Sequence, residues 1–591
     1  MSQRHGGDLI ADVLARHGVR HLFTLCGGHI SPILTGAQAR GLAVIDVRDE
    51  ANAVFAADAV ARTTGGIGVA AVTAGPGVTN TITAIKNAQM AQSPLLLFGG
   101  STATLLKGRG SLQDVDQLSI MKPITKWAAS VRSVPALAPM TERAIAIARE
   151  GVPGPVFLEV PVDLLYPEAV VRSWYEKEAG LGKAKGLGAR ALELYIRGHL
   201  YKQFHAPATP DVSLPRLPRL TRSASLDEVA DAVAGADRPV LVIGSQSMVG
   251  VTDPERVAAA VRALGLPVFL GGMARGLLGR AHELQFRHAR TPALKEADVV
   301  VVAGFPFDFR LGYGRSIGRS AKVIAANLSP VELRKNRRPE LAVEMHPGEF
   351  LVAMAERLRA RSTSPRPAWL ATLRQREAAR DDEIAASARA AAASDPAVDP
   401  AVDQFIDPLH FFSRLEEAMS DDAALVVDGG DFVATASYVL RPRAPLAWLD
   451  PGVFGTLGVG GGFAIGAALT KPGREVWLLW GDGSSAYTLA ELDTCVRHGL
   501  APIAIIGNDA SWSQIAREQI DVLGTPLGTV LRRTDYHVVA QGYGAVGLLL
   551  DDPAKIDETL ATAKRISREG RPVCINVLLR KSEFRKGSIS I

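Results

Sequence analysis

The stretch Glu475-Val476-Trp477-Leu478-Leu479-Trp480-Gly481-Asp482-Gly483-Ser484 decides how this chain is to be read. Its apolar run has the length of a buried strand and stops on two glycines that flank an aspartate. A second apolar run, Ile503-Ala504-Ile505-Ile506, ends in the same manner on Asn508-Asp509. Two strand ends carrying oxygen ligands are what the carboxyl edge of an open α/β sheet offers a divalent cation and a phosphate. Gly481 and Gly483 allow close backbone approach, and Asp482, Asn508, Asp509 and a main-chain carbonyl near Ser511 are candidate hard ligands. Two ordinary Gly/Asp turns would look the same, so the chemistry needs support from elsewhere in the chain.

Working outward, the segment belongs to an α/β unit spanning 406–580, with strands expected at Ala424–Val427, Glu475–Trp480, Ala501–Ile506 and Pro572–Leu578. A comparable unit fills 1–170. There an amphipathic helix (Asp8–His17) precedes strands at His21–Leu25, Leu42–Val47, Gly68–Thr73, Pro94–Phe98 and Pro155–Val160, with a further helix at Ala51–Thr63. A third unit, 223–361, carries strands at Pro239–Ile243, Pro267–Leu270, Val299–Ala303 and Lys322–Ala326. Between them, 171–222 reads as a long linker rich in Lys and Gly that ends in Pro207, Pro210, Pro215 and Pro218. A second linker at 362–405 is expected to be helical in part, and 581–591 is a C-terminal tail. The fold class is therefore α/β, with three doubly wound parallel-sheet domains.

Bulk properties narrow the function. The 591 residues are 47% apolar and 21% charged, with a net charge of +5, the profile of an ordinary soluble globular protein. No run of five Lys/Arg occurs, which argues against nucleic acid as a partner. Cys26, Cys495 and Cys574 are few, odd in number and far apart, which suits a reducing compartment and gives no metal-thiolate motif. The first residues lack an apolar signal core and no apolar run reaches spanning length, so a cytoplasmic setting without a membrane partner is expected.

Six further strings are candidates to carry chemistry. In Asp46-Val47-Arg48-Asp49-Glu50-Ala51-Asn52-Ala53, Glu50 stands where a strand hands over to an Ala-rich helix, a place where a carboxylate also serves simply as a helix cap. Thr73-Ala74-Gly75-Pro76-Gly77-Val78-Thr79-Asn80 opens a helix through glycines that keep the backbone close to any bound ring. Phe454-Gly455-Thr456-Leu457-Gly458-Val459-Gly460-Gly461-Gly462 is a second glycine-dense helix entry, in which Leu457 is either a core leucine or a wedge. Val427-Asp428-Gly429-Gly430-Asp431-Phe432 ends another strand, and Gly430, Asp431 and Phe432 can reach a phosphate through main-chain amides or form a surface turn. His29, in Gly27-Gly28-His29-Ile30-Ser31-Pro32, lies after the first strand, placed to relay protons or to serve a structural role. Gln113, in Gly110-Ser111-Leu112-Gln113-Asp114, is a polar loop residue. Cys26 reads as an inert buried thiol rather than a pocket wall.

These strings, in this order across residues 6–580, resemble the thiamine diphosphate (ThDP) enzymes of the acetolactate synthase-like superfamily. The usual Asn-Asn of the metal loop is Asn508-Asp509 here. The resemblance implies that ThDP and Mg²⁺ bind, with Asp482, Asn508, Asp509 and Ser511 at the metal. Gly483, Ser484, Gly430, Asp431 and Phe432 would lie at the diphosphate, and Gly75, Asn80, Gly455 and Leu457 around the rings. Glu50 would hydrogen-bond the aminopyrimidine and drive its tautomerisation, the Gly455 carbonyl would meet the 4′-amino group, and His29 and Gln113 would face substrate. The tandem His-His of pyruvate decarboxylases is missing, and Glu518 stands where acetolactate synthases carry tryptophan. Lys86-Asn87-Ala88-Gln89-Met90-Ala91-Gln92-Ser93-Pro94 and Gly507-Asn508-Asp509-Ala510-Ser511-Trp512-Ser513-Gln514-Ile515 are most similar to members classed as 2-hydroxyacyl-CoA lyases.

That subgroup implies cleavage of a 2-hydroxyacyl-CoA to an aldehyde or ketone plus formyl-CoA, reversibly, with the cofactor as electron sink. The alternative is a carboligase or decarboxylase of acetolactate synthase or benzaldehyde lyase type on free 2-oxo acids or aldehydes; a non-enzymatic nucleotide-binding scaffold is the third reading. The central domain is a candidate site for ADP or a CoA nucleotide, with FAD the second choice. Arg310, Arg315, Arg319, Lys322, Arg334, Lys335, Arg337 and Arg338 form a basic neighbourhood that suits CoA phosphates or is simply a solvated face. In this superfamily ThDP sits between the first domain of one subunit and the third of another, so the resemblance implies a homodimer or homotetramer. The tail Arg580-Lys581-Ser582-Glu583-Phe584-Arg585-Lys586-Gly587 is either a lid or a frayed terminus.

Overall fold

A computed structural model describes residues 4–179, 186–207, 220, 223–361, 366–393 and 405–585. The chain divides into two compact units, Met1–Ala61 with Gly66–Arg216, and Arg62–Gly65 with Leu217–Ile591.

The first unit is built on a six-stranded sheet of β1 (His21–Leu25), β2 (Ala43–Asp46), β3 (Gly68–Val72), β4 (Leu95–Ser101), β5 (Trp127–Ser130) and β6 (Pro155–Pro161), in the order β2-β1-β3-β4-β6-β5. All pairings are parallel. Strands β3, β4 and β6 are buried along their whole length, as expected where helices cover both faces of a parallel sheet. Each of their aliphatic side chains contributes about 1.5–3 kcal/mol on leaving water.

The expected linker at 171–222 is different in its described part. Helices Glu168–Glu178 and Leu187–His205 pack on the first unit. Ile196, Leu200 and Gln203 form the buried stripe of the second helix, at the spacing of one helical face. Buried Asp163 fastens both helices, accepting from the Tyr175 hydroxyl at 2.5 Å, from the Thr104 hydroxyl at 2.6 Å and from the Gln203 amide. The stripe was hidden in the sequence by the Lys and Gly content around it. Pro210, Pro215 and Pro218 lie outside the described residues.

The second unit holds two more parallel sheets. The central one contains β7 (Pro239–Ile243), β8 (Val268–Leu270), β9 (Gln285–Phe286), β10 (Val299–Ala303), β11 (Lys322–Asn327) and β12 (Leu341–Glu344), ordered β12-β11-β10-β7-β8-β9. Alternation along its strands splits the core: Leu241, Ile243 and Val301 join one cluster, while Val240, Val242 and Val300 join the other. The helix Pro367–Ala393, in the expected second linker, closes the latter cluster with Trp369, whose indole N–H donates to the Pro239 carbonyl at 3.1 Å. The last sheet contains β13 (Ala424–Asp428), β14 (Trp448–Leu449), β15 (Val476–Gly481), β16 (Ile503–Asn508), β17 (Val546–Leu550) and β18 (Val573–Leu578), ordered β14-β13-β15-β16-β18-β17. Among the described residues no helix is long and apolar enough to cross a membrane.

Candidate active site

In the first unit the chemistry gathers at the carboxyl ends of β1 to β4. Glu50 opens the helix Glu50–Thr64 and is buried. Its Oε2 accepts a hydrogen bond from Asn80 Nδ2 at 3.0 Å. Gly77 lies against Thr73 and Glu50: a Cβ there would come 2.9 Å from Thr73 Cγ2, too close, and 3.6 Å from Glu50 Oε1, an ordinary contact. His29 is half-buried, with Nδ1 3.1 Å from Thr73 Oγ1, and burial lowers its pKa. It therefore stands neutral at pH 7, able to accept a proton. Gly100 makes room for it, since a Cβ there would lie 2.6 Å from that of His29.

The loop from Thr73 to Asn80 thus touches both Glu50 and His29. Gly75 on this loop has φ +62°, and its N–H donates to Gln117 Oε1 at 2.8 Å. Gln117 is fully buried and donates in turn to the Gly100 carbonyl at 3.1 Å and to Glu159 Oε1 at 3.0 Å. Lys107 reaches the other oxygen of Glu159 at 2.5 Å. Gln113 is half-buried in a left-handed conformation, φ +64°, with its main chain over Gly75. The sequence reading included Gln113 and missed Gln117, whose only signal is a lone glutamine after an acidic loop. Cys26 is exposed, contrary to the expected buried thiol; the buried cysteines are Cys495 and Cys574. The loop after β1 leaves Cys26 outside the sheet, whereas Cys574 lies within β18 and burial pushes its thiol up to about 12.

In the second unit, β15 and β16 pair Gly481 with Gly507, which brings Asp482 and Asp509 to adjacent strand ends. Asp482 is buried, and burial followed by the charge of Asp509 pushes its pKa up to about 7. Its Oδ1 accepts from Gly483 N at 2.8 Å, while its buried Oδ2 has no hydrogen-bond partner among the described residues. Asp509 is also raised, by burial first, against the opposing hydrogen bond from Ser513. Ala510 takes a left-handed φ of +56°, folding the 509–511 turn over Asp482, and Ser511 N donates to Asp509 Oδ1 at 3.2 Å. The turn is strapped down by Leu531 N on the Ala510 carbonyl at 2.8 Å and Trp512 N on the Thr529 carbonyl at 2.9 Å. Asp482, Asp509 and Ser511 therefore meet. Asn508 instead directs its amide nitrogen to the Thr534 carbonyl at 3.0 Å and Asn576 Oδ1 at 3.1 Å, leaving Oδ1 without a partner.

Buried Asp482 with its orphaned oxygen, beside the half-buried carboxylate of Asp509, suits a divalent cation, which would offset the desolvation that raises both groups. The surrounding backbone suits a phosphate. Trp512 covers Gly483 so closely that a Cβ there would lie 2.4 Å from its ring, and Ser484 Oγ donates to the Asp428 carbonyl at 2.6 Å. Gly430 precedes the helix Asp431–Val439, whose first residue, Asp431, pairs with Arg517. That pairing, across 86 positions and unseen in the sequence reading, offsets the charge of Asp431 beside a main-chain phosphate site. Phe432 packs beneath Gly507 and beside Phe412, its ring part of the core.

Gly455 is exposed with φ +65°, and Leu457 is half-buried. Their loop hangs from Asp428, whose carboxylate accepts from Gly458 N at 3.2 Å and Gly460 N at 2.8 Å. Burial pushes Asp428 up to about 7.

Three residues of the central domain's basic neighbourhood are engaged locally. Arg310 pairs with Asp308 at 2.6 Å, Lys335 with Glu332 at 3.3 Å, and Arg337 caps the Gly314, Ile317 and Gly318 carbonyls. The described part of the tail is packed: Arg580 pairs with Asp407 at 2.9 Å, Arg517 donates to the Ser582 carbonyl at 2.9 Å, and Phe584 meets Tyr438 edge-on. Lys586 and Gly587 lie outside the described residues.

Family models agree with this anatomy. Residues 4–120 match the N-terminal thiamine pyrophosphate (TPP) binding domain of thiamine pyrophosphate enzymes, 226–354 their central domain and 428–577 their C-terminal TPP binding domain. The chain belongs to the thiamine pyrophosphate enzyme family, and the first and last of its sheets lie in the regions that match that family's two TPP-binding domains. Within the family it is similar to proteins named 2-hydroxyacyl-CoA lyase 2. It is 47% identical to the one from Danio rerio over all of this chain and 94% of that protein, and 47% identical to the one from Homo sapiens over 92% of that protein. The acetolactate synthase large subunit IlvG of Mycobacterium tuberculosis is 32% identical over 97% of this chain and 95% of that protein.

Proposed function

We propose that this protein is a ThDP- and Mg²⁺-dependent carbon–carbon lyase that cleaves a 2-hydroxyacyl-CoA to an aldehyde or ketone and formyl-CoA. The observation that carries this reading is the 47% identity, end to end, to proteins named 2-hydroxyacyl-CoA lyase 2, against 32% to an acetolactate synthase. Bound ThDP supplies a carbon nucleophile and a sink for the electrons of the breaking bond. Asp482, Asp509 and the Ser511 carbonyl would hold Mg²⁺, with Asn508 bracing the strand end behind them. The amides of Gly483, Gly430 and Asp431, with Ser484, would receive the diphosphate, and Leu457 and Gly455 would wall the rings.

Glu50 would hold and return a proton at the pyrimidine ring, fixed in place by Asn80. Between the hydroxyl-bearing carbon and the thioester carbon one bond breaks; the hydroxyl proton leaves one fragment and a proton arrives on the formyl carbon of the other. Neutral His29 would take the hydroxyl proton, and Gln113, over Gly75 on the neighbouring loop, would face substrate. As in the superfamily the sequence resembles, ThDP would sit between the first domain of one subunit and the third of another, so the working form would be at least a homodimer, in a cytoplasmic setting.

Product analysis separates the two chemistries. Incubation with a 2-hydroxyacyl-CoA, ThDP and Mg²⁺ is expected to release formyl-CoA and an aldehyde, with little acetolactate from pyruvate. Rapid acetolactate formation with inert thioesters would overturn the proposal.

A further inference from the structure

The helix Leu187–His205 of the first unit is apolar on two opposite faces. Its inner face is occupied. Ile196 and Leu200 pack with Val171 and Tyr175 of the helix Glu168–Glu178, Gln203 donates to buried Asp163, and His199 Nε2 lies 2.8 Å from Thr104 Oγ1. A helix fastened in this way has one orientation, which fixes its outer face as well.

That outer face presents Leu187, Ala191, Leu194, Gly198, Tyr201 and His205, all exposed, at alternating steps of four and three residues that make a single stripe opposite Ile196. Leu187 is 86% exposed, Leu194 73% and Tyr201 68%, where a surface helix ordinarily places polar groups. A Cβ on Gly198 would meet nothing within 4 Å, so the middle of the stripe is open as well. The helix Glu168–Glu178 likewise exposes Val170 and Trp174, one turn apart. Scattered residues of this kind need no explanation, whereas a continuous run of them marks a surface that meets something else.

Charge decides what that is. Arg190 and Arg197 flank the stripe on one side, and Lys202 and the phenol of Tyr195 on the other, all exposed. The one carboxylate of the helix, Glu193, is already paired with Arg197 at 2.5 Å, and Glu168 of the neighbouring helix lies 3.4 Å from His205. An aliphatic stripe bordered by cations and phenol rings is the arrangement of a helix lying in the plane of a bilayer surface. The stripe enters the acyl boundary, the rings sit at headgroup level, and the long basic side chains reach out to anionic headgroups. A second copy set against the same face would oppose like charges. Crossing the bilayer is excluded: nineteen residues span about 28 Å, but four of them, Arg190, Glu193, Arg197 and Lys202, are charged. The lack of a spanning run, on which the expectation of no membrane partner rests, bears on crossing alone.

We propose that the outer face of Leu187–His205 docks this protein, peripherally and reversibly, on an anionic phospholipid surface. Leu187, Leu194 and Tyr201 make the apolar contact, and each of the three cations raises partitioning about fivefold. The docking is independent of the reaction assigned above.

Co-sedimentation of the full-length protein with vesicles of phosphatidylcholine, alone or mixed equally with phosphatidylglycerol, measures partitioning without turnover. Binding to the mixed vesicles is expected to exceed binding to phosphatidylcholine by about tenfold or more, a preference that high salt removes. Leu194→Glu should weaken it by about tenfold or more, and Arg190→Ser and Arg197→Ser by about fivefold each, with thermal melting and turnover in solution unchanged in every variant. Failure of the native protein to bind the mixed vesicles, or binding indifferent to all three substitutions, would overturn the proposal. So would a smaller assembly for Leu194→Glu in lipid-free sedimentation velocity, which would give the face to a second copy.

Discussion

The first and last sheets are wound identically, second strand at one edge and fifth at the other, yet their carboxyl edges treat charge in opposite ways. In the first, each acidic group at the site is met by donors: Glu50 by Asn80, Glu159 by Gln117 and Lys107. In the last, burial raises both Asp482 and Asp509, the charge of Asp509 adds to the rise at Asp482, and Asp482 keeps an oxygen without a donor among the described residues. On the function proposed above, the first edge would exchange a proton and the last would receive a cation. The same topology serves both because function resides in the few residues that follow each strand.

The sharpest way to break this contrast is to remove the proton-exchanging group alone. Glu50→Gln keeps the shape and the Asn80 contact on the first edge and leaves the last edge untouched. Turnover is expected to fall by about 10³-fold, with Mg²⁺-dependent ThDP binding by calorimetry retained. Retained turnover would remove Glu50 from the mechanism.

The second test concerns the charge stored on the last edge. Asp428 has a folded-state pKa of about 7, well above that of an unfolded aspartate. The native state therefore holds a proton that the unfolded chain releases, and its stabilising effect is complete below about pH 4 and is lost as pH rises through 7. Metal-free protein should accordingly lose stability between pH 5 and 7, at up to about 1.4 kcal/mol per pH unit from this group. Asp428→Asn should flatten that slope in denaturant melts. An unchanged slope would mean that Asp428 stays ionised.

Much of this organisation was legible in the sequence, for identifiable reasons. The inner strands are buried on both faces and read as unbroken apolar runs, as in Val299–Ala303 or Leu95–Phe98. Five strands escaped: β5, β9, β12, β14 and β17, every one an edge strand. They are either as short as two residues, as in β9 and β14, or half-exposed, as in β5. Strand-end residues with special chemistry, Glu50, Asp482 and Asp509, were visible because glycines and a change of period mark those places. Residues that act through others were not. Arg517 meets Asp431 across 86 positions, and Gln117 reaches Gly75 across 42; no local pattern announces such pairs.

Gln117 offers the finest test of the comparison, because it asks how firmly the first edge must be held. Its amide oxygen is the side-chain anchor of the buried Gly75 N–H, on the loop whose Thr73 and Asn80 contact His29 and Glu50. Gln117→Ala leaves that N–H unsatisfied, at a cost of about 1–3 kcal/mol, and leaves Glu159 with Lys107 alone. A loop displaced by a fraction of an ångström would misplace Glu50 while the cation pocket of the last edge is unaffected. The expected result is a kcat lower by about tenfold, with ThDP affinity and KM within about twofold and faster hydrogen exchange at the Gly75 amide in cofactor-free protein. Equal losses in kcat and ThDP affinity would instead show that Gln117 supports the domain as a whole, and the first edge would then be no more finely positioned than the last.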